Sequence, residues 1–112
     1  MLRRPTLLLA FFSTLLHAAQ DPRFVVSRYG PEHGLSNRHV LSLVQDRVGF
    51  LYAGTVSGVD RFDGHVFRNW SVGDGLSQGR ADQLRRDAQG RIWAIATDAR
   101  EDVIAIDILD PV

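Results

Sequence analysis

Short apolar runs alternate with turn residues along this chain from about residue 24 onward. The runs are rich in β-branched and aromatic side chains, which suit a pleated, half-buried surface. Gly, Pro, Asp and Asn cluster between them and mark turns. The pattern predicts strands at 24–29, 40–45, 50–55, 59–62, 65–70 and 103–107.

The stretch 46–55 predicts a strand end, a tight turn and a strand. A similar stretch begins 41 positions later, at 87–97. The loop before it returns at the same interval, since Gly34-Leu35-Ser36 becomes Gly75-Leu76-Ser77. A period near forty residues indicates a repeat architecture.

The repeated turn has a physical explanation in its aspartate and its glycine. An aspartate before a turn accepts hydrogen bonds from backbone N–H groups further on, and glycine tolerates positive φ. We therefore expect Asp46 with Gly49, and Asp87 with Gly90, to be structural turn residues. A catalytic acid at Asp46 is the alternative, but a carboxylate repeated at the same turn favours a role in the scaffold.

One repeat holds four short strands in about forty residues, which is the size of one β-propeller blade. The sequence predicts an all-β fold: about two four-stranded blades of an incomplete propeller, following an N-terminal signal peptide. Strand 40–44 is apolar at successive positions, so we expect both of its faces to be buried. The second copy is more polar, and 80–89 taken alone resembles an amphipathic helix; the repeat register favours a strand there.

The first nineteen residues have the pattern of a signal peptide. Arg3 and Arg4 precede an apolar run, 7–16, and small residues follow it, with cleavage expected after Ala18 or Ala19. A membrane anchor is the alternative, but ten residues reach only about half of a bilayer core. We expect a periplasmic or extracytoplasmic mature chain with no membrane span.

Composition narrows the chemistry. The chain has 112 residues, enough for one small domain, and its formal net charge is zero, which gives no reason to expect nucleic acid as a partner. It has no cysteine, so disulfides, thiolate metal sites and thiol catalysis are excluded. The spacing of His33, His39 and His65 fits no usual zinc pattern. We expect no metal, no cofactor and no catalytic residues.

The repeat divides the chain as follows: signal peptide 1–19; a lone strand and linker 20–33; blade 34–74; incomplete blade 75–112. Val25 and Tyr29 match Val66 and Trp70 in register, so 24–29 corresponds to the last strand of a preceding blade. The final run, 103–107, falls three residues later than the repeat predicts. We expect a front piece of a longer protein, a truncated product, or a chain that completes itself with further blades or by self-assembly.

Three motifs together resemble the two-component regulator propeller repeat. They are Gly34-Leu35-Ser36-Asn37, the stretch from Val40 through Asp46 and Gly49 to Thr55, and Gly58-Val59-x-Arg61-Phe62-Asp63-Gly64. The resemblance covers about 24–107. It implies the periplasmic sensor region of a hybrid histidine kinase or a diguanylate cyclase, without enzymatic activity in these residues. The sequence contains no motif typical of the output domain of such a receptor.

The loops that join blades are the predicted ligand site, because loops carry function more often than strands do. The candidate residues are Ser36, Asn37, Ser77 and Gln78, with a small ligand such as a carbohydrate fragment. The four large aromatic residues are expected in the blade core, with a ligand mouth as the alternative: Tyr29, Tyr52, Trp70 and Trp93. A lyase-type propeller enzyme and a truncated product that does not fold remain alternative interpretations.

Overall fold

The structure, a computed structural model, describes residues 23–110. The predicted signal peptide, 1–19, and the start of the predicted linker lie outside these residues. Among 23–110, no helix is long and apolar enough to cross a membrane.

The described chain forms two antiparallel sheets in sequence order. The first has four strands: β1 (Val40–Gln45), β2 (Leu51–Thr55), β3 (Gly58–Phe62) and β4 (Phe67–Trp70). The second has three: β5 (Gln83–Arg86), β6 (Ile92–Thr97) and β7 (Val103–Leu109). The predicted all-β class is confirmed, and the two meandering sheets match an incomplete propeller-like fragment. The strand prediction for the polar second copy is also confirmed, because 83–86 is β5.

Two short 3₁₀ turns, Pro31–His33 and Val72–Asp74, lie where the sequence predicted only loops. They begin 41 residues apart, so the repeat extends into the connections. Each ends at a glycine in the left-handed region, Gly34 with φ 103° and Gly75 with φ 111°. Glycine adopts this conformation without the steric cost that a Cβ brings.

The core lies between the two sheets. Its buried side chains come from both sheets and from the segment that joins them: Tyr52, Val59, Leu76, Ala81, Leu84, Ile92 and Ala94. Removal of this apolar surface from water is the main force that holds the sheets together. The backbone also joins them, since the N–H of Ala81 donates to the carbonyl of Thr55 at 2.9 Å.

The sheets pack through opposite faces. Leu84, Ala94 and Ile92 of the second sheet lie in the core, but their repeat equivalents, Leu43, Ala53 and Leu51, lie on the other face of the first sheet. Leu43 is 65% exposed and Leu51 is 41% exposed. The first sheet therefore leaves open the same face that the second sheet buries.

The prediction that β1 is buried on both faces is wrong for this chain. Val44 packs against the core, whereas Leu43, whose side chain points to the opposite face, is mostly exposed. Successive side chains of a strand point to opposite faces, and the described residues supply a neighbouring sheet on one side only.

The predicted strand at 24–29 is absent from the structure. These residues have no sheet partner, and Phe24, Val25 and Val26 are each more than 90% exposed. Their apolar pattern suits a strand, but a strand also needs a neighbour for its backbone hydrogen bonds. Tyr29 is the one aromatic of this segment in contact with the sheet, with its ring centroid 4.6 Å from that of Phe62.

The predicted offset of the last strand is also wrong. In the sheet register, Asp60 pairs with Ala53 and Asp107 pairs with Ala94. Asp107 follows Asp60 by 47 positions, whereas Ala94 follows Ala53 by 41, so the offset is six residues rather than three. The additional residues extend the β6–β7 hairpin, whose turn is held by Asp98 Oδ1, which accepts from the N–H groups of Arg100 and Asp102.

Candidate functional site

The predicted loop residue Ser36 is bound to a buried aspartate of its own blade. Its N–H and its hydroxyl both donate to Asp60 Oδ2, each at 2.8 Å. The side-chain amide of Asn69 donates to the other carboxylate oxygen. Asp60 is fully buried. A buried carboxylate needs such donors, because an unpartnered one is costly to remove from water.

Ser77 repeats this arrangement in the second blade. Its N–H donates to Asp107 Oδ2 at 2.9 Å, and its hydroxyl donates to Asp107 Oδ1 at 2.6 Å. The Gly-Leu-Ser motif therefore attaches each loop to the third strand of its sheet. The repeated loop motif marks the serines but not their aspartate partners, because Asp60 and Asp107 are not 41 residues apart.

The other two predicted loop residues differ from each other. Asn37 donates through Nδ2 to Ser57 Oγ at 3.0 Å, and its Oδ1 accepts from the N–H of His39 at 2.9 Å. Gln78 is exposed. Among the described residues, no hydrogen bond joins the 34–37 loop to the 75–78 loop, so the structure does not link the two predicted pairs.

The turn aspartates have the geometry that the sequence predicted. Asp46 Oδ1 accepts from the N–H groups of Val48, Gly49 and Phe50 at 2.9–3.0 Å. Asp87 Oδ1 accepts from the N–H groups of Gln89 and Arg91, both at 2.9 Å. Gly49 and Gly90 have φ of 107° and 84°.

Each turn aspartate also binds the aromatic residue six positions later. Tyr52 donates its hydroxyl to Asp46 Oδ2 at 3.2 Å, and Trp93 donates its indole N–H to Asp87 Oδ2 at 2.8 Å. Tyr and Trp are therefore equivalent at this repeat position, since both carry a donor on an aromatic body.

Hydrogen bonds and burial shift the pKa values of these groups. The indole N–H of Trp93, with the backbone and side chain of Arg91, lowers the pKa of Asp87 to about 2 against a partial opposing effect of desolvation. Burial, and then the nearby negative charge of Asp46, raises the pKa of the Tyr52 hydroxyl, and Arg61 offsets this in part. Both effects favour the native hydrogen-bonded form.

A cleft of about 460 Å³ opens between the outer parts of the two sheets. One wall carries Tyr52, Arg61, Arg68 and Trp70, from β2 to β4. The opposite wall is the end of β7, 107–110, and the 74–76 segment closes one end. The two arginines of the cleft were not among the predicted site residues. The Asp63-Gly64 motif predicts a hairpin, and the register of that hairpin would have placed the two arginines opposite each other.

The two arginines are directly opposite each other on β3 and β4. The Arg61 guanidinium carbon lies 5.0 Å from the centroid of the Phe50 ring and 5.7 Å from that of Trp70. The Arg68 guanidinium carbon lies 4.6 Å from the Trp70 centroid. Aromatic faces attract cations, so these contacts place both guanidinium groups beside the cleft.

Within residues 23–110, no cluster of three or more His, Asp or Glu side chains is arranged to hold a metal ion. The side chain of His33 instead accepts a local hydrogen bond through Nδ1 from the N–H of Gly30 at 3.1 Å.

No family model matches the sequence, but similar proteins are found among curated proteins and solved structures. A curated protein described as histidine kinase P4, from Formosa agariphila, is 36% identical over 63 residues, which are 56% of this chain and 5% of that protein. The crystal structure of the extracellular domain of a hybrid two-component system protein from B. thetaiotaomicron superposes with a TM-score of 0.56 and 30% identity. The match covers 69% of this chain and 11% of that one. The chain thus spans a small part of the length of either relative.

Proposed function

We propose that this chain is part of a ligand-sensing propeller in the extracytoplasmic region of a two-component or cyclic-dinucleotide signalling receptor. The similarity to an extracellular domain of a hybrid two-component system supports a sensor region without catalytic activity of its own. The similarity to a histidine kinase points to the same class of receptor. The output domain belongs to a part of the receptor outside this chain.

The observation that carries the proposal is the unequal burial of equivalent faces. Leu84 of β5 is 7% exposed, whereas Leu43, at the same position of β1, is 65% exposed. The first sheet has an apolar face built for a preceding blade, lined by residues such as Phe62 and Phe67. Further blades of a sensor propeller would cover this face of the first sheet and the outward-facing side of β7 in the second sheet.

The position of Tyr29 agrees with this arrangement. Its ring packs on Phe62, and the equivalent of Phe62 in the second sheet is Leu109, which lines the same cleft as Trp70 from the opposite wall. Tyr29 therefore occupies the same position against the first sheet that Trp70 occupies against the second sheet. We propose that residues 20–33 lead from a preceding blade, which would supply the missing partner for a strand at 24–29, and that 34–74 and 75–112 are the next two blades.

The genomic sequence downstream of the codon for Val112 tests the proposal. We expect the reading frame to continue into more repeats of about 41 residues, each with an Asp-x-x-Gly turn followed by an aromatic residue, and then into a membrane span and an output domain. A stop codon directly after Val112 would contradict the proposed receptor and favour the truncated product.

An export assay tests the proposed location. Residues 1–112 are fused ahead of an alkaline phosphatase that lacks its own signal and is active only outside the cytoplasm. We expect phosphatase activity from this fusion and from a matched variant with Leu8→Val and Leu9→Val. Arginine at both positions should abolish it, because charge in the apolar region prevents export. Equal activity from the arginine variant would show that 1–19 is not the export signal.

A further inference from the structure

The cleft between the sheets has a pair of cations without acidic partners. Arg61 and Arg68 face each other across β3 and β4, and like charges directly opposite in a sheet are destabilising. Among residues 23–110, no carboxylate lies within 4.0 Å of either guanidinium. Both guanidinium groups lie against aromatic rings and neither forms a salt bridge among these residues, which leaves their N–H groups able to bind an anion.

The guanidinium groups differ in how they are held. Arg61 is half-buried between Phe50 and Trp70, and its Nε is buried without a hydrogen-bond partner among the described residues. Its orientation is therefore set by packing. Arg68 is exposed and rests on the Trp70 ring. One arginine is preorganised and the other is able to adjust, and a planar guanidinium binds a carboxylate through two parallel hydrogen bonds.

The remaining lining restricts which anion fits. Asp74, Asp107 and Asp110 also line the cleft, so three negative charges face two positive ones and a polyanion is disfavoured. A single negative charge is held by direct contact with the two arginines and not by the overall charge of the lining. Asp107 accepts from Ser77 through both oxygens, and Asp74 accepts from Ser71 through Oδ2. The acceptors left for a ligand are Asp74 Oδ1 and the carboxylate of Asp110, which is exposed at the end of the cleft. Carboxylates at a rim accept hydrogen bonds from hydroxyl groups. The lining thus combines sites for one negative charge with acceptors for several hydroxyls.

We propose that this cleft binds a small hydroxylated monocarboxylate, with the carboxylate on Arg61 and Arg68 and the hydroxyls towards Asp74 and Asp110. The volume of about 460 Å³ lies within the range of small-molecule sites. This inference rests on the proposed sensing function and gives it a ligand class. It places the ligand between the blades rather than in the Ser36 and Ser77 loops, whose serine hydroxyls are already bound to aspartates.

Calorimetric titration of the full 112-residue chain with D-gluconate tests the proposal. D-glucose, which has the hydroxyls without the carboxylate, and inorganic sulfate, which has the charge without the hydroxyls, are the comparison probes. We expect saturable binding of gluconate, at least tenfold weaker binding of sulfate, and no measurable binding of glucose. No saturable gluconate binding, or sulfate binding as tight as gluconate binding, would overturn it.

Variants locate the binding. Arg68→Gln should weaken gluconate binding by about tenfold or more, because it removes a charge-assisted pair of hydrogen bonds. Arg68→Lys, which keeps the charge but not the fork, should weaken it less. Arg100→Gln, at an exposed position of the β6–β7 hairpin, is the matched control and should bind as the parent chain does. Equal affinity in Arg68→Gln and Arg100→Gln would contradict a site at Arg68. Neither result depends on whether the reading frame continues beyond Val112, so the two proposals fail separately.

Discussion

The indole N–H of Trp93 donates a hydrogen bond to Asp87 Oδ2 at 2.8 Å, closing a turn from six residues further along the chain. The Tyr52 hydroxyl does the same for Asp46 in the preceding blade. The side chains differ in size and chemistry, but each places a donor at the same point. The repeat therefore preserves a hydrogen bond rather than a residue type.

Removal of the Tyr52 hydroxyl tests the value of this hydrogen bond. Tyr52 is 2% exposed and Asp46 is 6% exposed, so Tyr52→Phe leaves a buried carboxylate oxygen without this donor. We expect the free energy of unfolding to fall by about 1–3 kcal/mol, measured by urea denaturation. Tyr29→Phe is the matched control, since Tyr29 is half exposed, and should change it by less than about 0.5 kcal/mol. Equal effects from the two variants would show that the buried hydrogen bond contributes nothing.

The low pKa of Asp87 predicts that the second sheet loses stability in acid. Its native pKa is about 2, mainly through the Trp93 hydrogen bond, against an ordinary value of 3.8. Because the native pKa is depressed, the stabilisation is complete above about pH 4 and is lost as the pH falls towards 2. Urea midpoints measured from pH 5 to pH 2 should fall less steeply for Asp87→Asn than for the parent chain. Parallel curves for the two chains would contradict this assignment.

Ionisation of Tyr52 predicts a second, alkaline transition. Burial and the charge of Asp46 raise the pKa of its hydroxyl above the ordinary value of 10.0. A raised native pKa means that the stabilisation is present below pH 10 and is lost as the pH rises through the native value. Titration of tyrosinate absorbance should show an ionisation step above pH 10 that Tyr52→Phe removes. Retention of that step in Tyr52→Phe would contradict its assignment to Tyr52.

The buried Asp60 predicts a large asymmetry between the blades. Asp60→Ala leaves the N–H and hydroxyl of Ser36, and the amide of Asn69, without their acceptor. We expect a loss of about 3 kcal/mol or more in the free energy of unfolding. Asp107→Ala removes the equivalent but exposed attachment of Ser77 and should cost about 1 kcal/mol. A smaller loss for Asp60→Ala than for Asp107→Ala would contradict the described network.

Equivalent leucines test the open face. Leu84→Ala should destabilise the chain by about 2–4 kcal/mol, because Leu84 lies in the core between the sheets. Leu43→Ala, at the same repeat position, should cost less than about 1 kcal/mol, because its side chain is 65% exposed. Urea denaturation of the two variants measures the difference. Similar losses would show that the Leu43 face is covered in the chain as it stands.

Much of the fold follows from the sequence because turn chemistry and the period are local. Asp46, Gly49 and their equivalents fix the hairpins, and the period correctly predicted a strand in the polar segment that became β5. The lone strand at 24–29 was wrong because a strand also depends on a partner, which is not local. The offset of β7 was wrong because the lengthened hairpin at 98–102 hides the equivalence of Asp60 and Asp107.

Less of the candidate site could be predicted from the sequence. The Gly-Leu-Ser loops were visible as motifs, but the partners that engage Ser36 and Ser77 come from strands 24 and 30 residues further along the chain. The pairing of Arg61 with Arg68 depends on the register of the β3–β4 hairpin. The cleft beside them exists because the two sheets are in contact at β1 and β5 and separate outward, which is a tertiary property that no local pattern encodes.

Hydrogen exchange on the full chain tests the central claim, that two successive blades fold and pack against each other. The amides of the central strands β2 and β6, 51–55 and 92–97, should be among the most protected, because each of these strands, like β3, lies between two neighbouring strands. Residues 24–28 should exchange at the rate of an unfolded chain. That pattern would support the two-blade account, whereas random-coil exchange in both central strands would contradict it.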